Sequence, residues 1–154
     1  MLSRLWSAAL ASLLPVFLLM PTATQAASLD LAPYKGKVVY LDFWASWCAP
    51  CRQSFPWMNQ LQQAYGPKGF VVIAVNVDHE RDLADEFLRQ TQPNFKIVYD
   101  ASGEIASTYR FKDMPTSVLI GRDGKVRFVH QGFFPEKEDL YASHISALIN
   151  ERAL

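Results

Sequence analysis

The chain has 154 residues, half of them apolar, with fifteen basic and fifteen acidic side chains and a formal net charge of zero. That is enough for one packed domain and too little for two. Balanced charge, with no long run of one sign, gives no footing for a nucleic-acid binder or for a basic patch held to an anionic membrane.

The first stretch differs in kind from the rest. Arg4 is the only charged side chain before Asp30, Leu5 to Met20 is almost wholly apolar, and Pro21 then breaks the run ahead of small residues from Thr22 to Ser28. This is the order of a secretory signal, and it predicts a leader over 1–26 with cleavage after Ala26. The single domain is then 27–154. An uncleaved anchor tethering that domain to the membrane is the alternative. The apolar run falls short of the roughly 20 residues a spanning helix needs, and Pro15 lies inside it. Both readings place the domain in the periplasm, an oxidising compartment where a lone pair of cysteines is expected as a disulfide.

Val38 to Ala45 is β-branched and aromatic without polar alternation, the signature of a strand buried on both faces. A helix opens at Cys48 to Cys51, with Phe55, Met58, Leu61 and Tyr65 on one face and Gly66-Pro67 as its stop. Pro56 is expected to kink it. Phe70 to Val75 is a second buried strand. Leu83, Ala84, Phe87 and Leu88 mark an amphipathic helix, followed by a short strand over Lys96 to Tyr99 and a short helix from about Gly103 to Tyr109. Thr116 to Ile120 is a strand that Asp123-Gly124 turns back into Lys125 to Val129, an edge hairpin. The last helix has Pro135 near its first turn and Leu140, Tyr141, Ile145, Leu148 and Ile149 on its apolar face. The sum is an α/β domain with a mixed central sheet and helices on both faces, without internal repeats.

Cys48 and Cys51, the only cysteines, sit where a buried strand gives way to a helix. A thiol at a helix N-terminus meets unpaired N–H groups and the positive end of the dipole, which favour the thiolate. Cys48 is therefore the expected attacking sulfur, exposed and acidic, with Cys51 shielded behind it to resolve the mixed disulfide. A bridge closing so small a loop is a poor structural staple. A zinc site would need two more ligands at suitable spacing, which His79, His130 and His144 do not supply, so no metal is expected. Covalent haem attachment would need a His after Cys51, where Arg52 stands. No cofactor is expected. His144 shares a face with Tyr141 and Leu148 and reads as a half-buried packing residue.

The run Asp42-Phe43-Trp44-Ala45-Ser46-Trp47-Cys48-Ala49-Pro50-Cys51, with Phe55-Pro56, Val75-Asn76-Val77, Met114-Pro115-Thr116, Gly121 to Lys125 and Gly132, resembles the thioredoxin fold. Within it the chain is most similar to exported TlpA-like and ResA-like thiol–disulfide oxidoreductases, over nearly everything from about Lys35 onward. Two departures stand out. Several of those reductases have Asn where this chain has Asp42, and some have an acid three positions after the second cysteine, where this chain has Ser54. Asp42 therefore takes the role of proton acceptor: it interrupts an apolar strand, and desolvation would raise its pKa toward neutrality so that it could deprotonate Cys51. A carboxylate at a strand end that reaches water is the alternative.

The resemblance further implies a cis Met114–Pro115 bond opposite the cysteine loop, leaving Met114 main chain free to pair with an extended client. Trp47, Pro50, Met114, Pro115 and Gly132 would form the receiving surface, with Gly132 permitting close approach of another loop or serving as a plain turn glycine. Trp44 is expected in the core, Trp47 over the apolar surface around Cys48, and Phe133 and Phe134 as extensions of that surface or as local packing. Strong oxidants of this fold resemble each other in a His between the cysteines, and Ala49-Pro50 lacks it. The implied activity is a disulfide reductase for client proteins such as apocytochrome c or copper-site proteins, recharged by a membrane electron donor. An oxidant or isomerase, or a metal-delivery protein, is the alternative. Peroxidases of the related fold look like Pro-x-x-x-Thr-x-x-Cys, and Ala45 holds the place of that threonine.

Overall fold

Strand β1, Val38–Trp44, is buried along its whole length, and its two faces feed two separate cores. Val38, Tyr40 and Trp44 join one cluster, while Val39, Leu41 and Phe43 join the other, as the two-residue period of an extended chain requires. This computed structural model describes residues 29–151. The leader expected over 1–26 lies outside the described residues.

After β1 come α1 (Ala49–Tyr65), β2 (Phe70–Asn76), α2 (Arg81–Thr91), β3 (Lys96–Tyr99), α3 (Glu104–Tyr109), β4 (Thr116–Ile120), β5 (Val126–Gln131) and α4 (Glu138–Asn150). The sheet order is β3-β2-β1-β4-β5, with β1, β2 and β3 parallel and β4 and β5 antiparallel to their neighbours. Helices α1, α2 and α4 cover one face. The short α3 and the segment from Leu29 to Tyr34 cover the other. The α/β sheet with helices on both faces expected from the sequence is the architecture found.

Some expectations need correction. Leu83 and Leu140 were placed on buried helix faces, yet both are half exposed. In α2 only Ala84 and Phe87 reach full burial, and in α4 the stripe Tyr141, Ile145, Leu148 does. One step along a helix is a 100° turn, so a leucine beside the stripe points to water. Lys125 belongs to the turn, and β5 runs on to Gln131. Helix α1 has Pro56 inside it, as the sequence placed it.

The end of β1 is anchored by three rings. The Trp44 indole lies 4.9 Å from Phe55 and 4.7 Å from Phe87, which are themselves 4.9 Å apart. This ties α1 and α2 to the strand that leads into the cysteines. Replacing Phe87 with Ala removes the α2 member from a site with no room to collapse, and should cost about 3–5 kcal/mol. Urea unfolding should show it as a lower midpoint at unchanged slope. A loss under about 1 kcal/mol would mean that the cluster does not anchor α2.

Candidate active site

Cys48 is the N-cap of α1, in extended conformation, and its Sγ accepts the Cys51 N–H at 3.2 Å. The two cysteines form a disulfide with a Cα–Cα distance of 5.3 Å. No acidic side chain stands in the first turn of α1, so the helix itself carries no carboxylate against its free N–H groups and dipole at the sulfur. Cys48 is 5 % exposed and Cys51 fully buried. The asymmetry has the expected sense, but the outer sulfur is less open than anticipated. Trp47, beside Cys48, is 69 % exposed.

A depression of about 370 Å³ lies at this loop, walled by Trp47, Cys48, Ala49 and Pro50 on one side and by Lys112, Asp113 and Met114 on the other. Lys112 and Asp113 were not foreseen, and their place just before Met114 was the available signal. The Met114–Pro115 peptide is cis. Met114 makes no backbone–backbone hydrogen bond among the described residues. Pro115 is buried behind it, and its carbonyl accepts the Gly132 N–H at 2.7 Å. Gly132 has φ +75°, and a Cβ there would come within 3.0 Å of the Phe134 ring. It braces the Pro115 loop from behind and does not line the depression. Phe133 is core, packed on Trp57 and Tyr141, while Phe134 is exposed and carries Lys137 over its ring.

Behind the cysteine loop lies a clamp that sequence reasoning missed. Asp78 is buried, its Oδ2 accepting the Ser46 N–H at 2.9 Å and Asn76 Nδ2 at 2.7 Å, its Oδ1 accepting Ser46 Oγ at 2.9 Å. Both partners are bonded to the carboxylate, which holds the chain between β1 and α1 in one shape. Ser54, where some relatives carry an acid, donates its Oγ to the Cys51 carbonyl.

Asp42 is fully buried in the middle of β1, on the face that α1 covers. The reading of a strand-end carboxylate in water is thereby overturned. Its Oδ1 accepts Ser117 Oγ at 2.6 Å, and Ser117 Oγ in turn accepts Tyr40 Oη at 2.8 Å. Oδ2 has no partner among the described residues. Burial raises the Asp42 pKa from 3.8 to about 7, and the Ser117 hydrogen bond opposes part of that rise. His144 is half-buried, stacked on Phe128 at 4.0 Å and within 3.0 Å of His130 Nε2. Among the described residues, no three His, Cys, Asp or Glu side chains gather to hold a metal ion. No helix of those residues is long and apolar enough to cross a membrane.

The Redoxin family profile matches residues 9–144. The chain belongs to the Redoxin family. It is 39 % identical over 105 residues to the thiol-disulfide oxidoreductase ResA of Bacillus thuringiensis subsp. konkukian, covering 68 % of this chain and 61 % of that one. The chain thus spans about three fifths of the length of the curated relatives it matches. A Chlorobium tepidum crystal structure, provisionally assigned as a thiol:disulfide interchange protein DsbE, is 48 % identical with a TM-score of 0.77, covering 79 % of this chain and 86 % of that one. A secreted Mycobacterium tuberculosis disulfide oxidoreductase homologous to E. coli DsbE is 25 % identical with a TM-score of 0.68, over 78 % and 88 % of the two chains. The ResA-like, thioredoxin-fold assignment made on the motifs stands.

The Asp42 pKa has a consequence for stability. A carboxyl that titrates near 3.8 unfolded and near 7 folded binds its proton more tightly in the native state. Stability therefore falls as pH rises between those values and is level above them, a loss on the order of 4 kcal/mol. Asp42→Asn should flatten that slope and leave the oxidised protein more stable than wild type above neutrality, less the cost of one unpaired buried amide. Urea midpoints of both proteins at acid and alkaline pH check it. Parallel profiles would mean Asp42 titrates normally.

Proposed function

We propose that the protein is an exported thiol–disulfide oxidoreductase that reduces disulfides in client proteins. The observation that carries this reading is the disulfide itself: one sulfur caps a helix beside a depression, and the other lies buried on the sheet face that carries Asp42. In the reduced protein the Cys48 thiolate attacks a client disulfide, forming a mixed disulfide and releasing one client sulfur as thiolate. Cys51 then gives its proton to Asp42 and attacks the Cys48 sulfur. The client leaves with both sulfurs reduced, and the protein is left with the Cys48–Cys51 disulfide. Two electrons have passed to the client, and a membrane electron-donor protein returns them.

Substrate docking is assigned to Trp47, Pro50, Met114 and Pro115, with an extended client segment pairing with the Met114 main chain. Gly132 supports that loop through its bond to the Pro115 carbonyl. Clients are exported proteins with disulfides, such as apocytochrome c or copper-site proteins. The Ala49-Pro50 pair supports the reducing direction, because it places no His between the cysteines to stabilise the reduced thiolate. Thioredoxin-like and DsbA-like potentials differ by about 150 mV, so a measured potential separates reductant from oxidant clearly.

In the reduced protein, Cys48 should be alkylated with a midpoint near or below about 7, well under the 8.5 of a free thiol, while Cys51 stays unreactive. Equal alkylation rates with ordinary midpoints would remove the basis for two-step exchange. Cys51→Ala cannot resolve the mixed disulfide on Cys48, so exported clients should accumulate as adducts separable under non-reducing conditions. Recovery of no disulfide-linked partner counts against the reductase reading.

A further inference from the structure

The Asp42 carboxyl does not stand alone in the core. Asp42 and Ser117 are directly paired across β1 and β4, so their side chains share a face. Ser117 is 4 % exposed and Tyr40 2 %. Each hydroxyl has a single proton to give. Ser117 spends its own on Asp42 Oδ1, and the proton of Tyr40 goes to Ser117, so the chain of donation runs one way, toward the carboxyl. Burial and the neighbouring Asp42 both disfavour ionisation of Tyr40, which keeps it a donor. With Oδ1 accepting from Ser117, Oδ2 is the carboxyl oxygen without a partner among the described residues, open to a proton.

We propose that Ser117, backed by Tyr40, is a positioning residue for the resolution step: it fixes Oδ1 and leaves Oδ2 as the oxygen that receives the Cys51 proton. This rests on the reading of Asp42 as the base. The proton passes from Cys51 Sγ to Oδ2 as Cys51 attacks the Cys48 sulfur and the client thiolate departs. Ser117 does not touch the reacting atoms. It acts by keeping Asp42 ionisable near neutrality, since a donor to the charged form stabilises it.

The titratable groups around Asp42 are few. Tyr40 comes from β1, Cys48 and Cys51 from α1, and Tyr141 from α4 acts on Tyr40. On β5, His130 lies opposite Ser117, with His144 behind it. Burial lowers the His130 pKa to about 4, so it stays neutral where Asp42 titrates. From β2 the partner of Asp42 is Ala74, and α2 packs through Ala84 and Phe87.

The test follows two readouts in the full chain: the Asp42 carboxyl titration by carbon NMR in the reduced protein, and the pH dependence of resolution after the reduced protein is mixed with a small aromatic disulfide, which leaves one aromatic thiol bonded to Cys48 for Cys51 to displace. Ser117→Ala should move the Asp42 midpoint up by about one to two pH units, because the lost hydrogen bond served a charged acceptor. Resolution at neutral pH should then slow about tenfold. Ser117→Thr, which keeps the hydroxyl, should restore the midpoint, and Tyr40→Phe should shift it up by less than Ser117→Ala. A wild-type midpoint in Ser117→Ala overturns the proposal. Asp42→Asn separates the two ideas. If it retains the wild-type resolution profile, the base reading fails and the positioning role with it. If it abolishes the profile while Ser117→Ala leaves the midpoint in place, the base stands and only the positioning role is lost.

Discussion

Strand β1 occupies the centre of the five-stranded sheet, covered on both faces and paired on both edges, so a charged group placed in it has no route to water. Asp42 is that group. Every other feature of the site is arranged relative to it. The strand's alternation turns Asp42 toward the face that α1 covers, and the same strand ends two residues later at Trp44, which delivers the chain to the cysteine loop. A carboxyl that cannot be hydrated and meets no cation settles for a raised pKa, and that is the property a proton acceptor for a thiol requires.

Around this centre three chain segments converge. The strand-to-helix loop brings Cys48 to the free N–H groups of α1, the loop before β4 brings Met114 and Pro115, and the turn after β5 brings Gly132 to hold the Pro115 carbonyl. Asp78 holds the first of these through Ser46. The result is a rigid frame with an open depression between the cysteine loop and the Met114 loop. Rigidity matters because thiol–disulfide exchange needs a defined approach of one sulfur to another, and loosely held loops would lose it to conformational entropy.

Two polar side chains near the cysteines make defined hydrogen bonds. Ser54, three positions after the second cysteine, donates its hydroxyl proton to the Cys51 carbonyl. Asp42, in the strand beneath, accepts from Ser117, which in turn accepts from Tyr40.

Much of this was legible from the chain in order. The strands Lys96–Tyr99 and Thr116–Ile120 have the bounds that their apolar runs suggested, and Cys48 sits where the strand-to-helix change placed it. These are local properties: a helix cap involves residues three apart, and an apolar run reports its own burial. The core place of Phe133 was not legible, nor was the inward or outward face of Leu83 and Leu140, because small rotations of the chain decide them. Least legible were Ser117 on Asp42, 75 residues apart, and Asp78 on Ser46, 32 apart. The sequence by itself determined that a helix-capping cysteine pair follows a buried strand interrupted by an acid. Only the tertiary structure decided what surrounds that acid, because the pKa of a buried carboxyl depends on which distant side chains and how little water reach it.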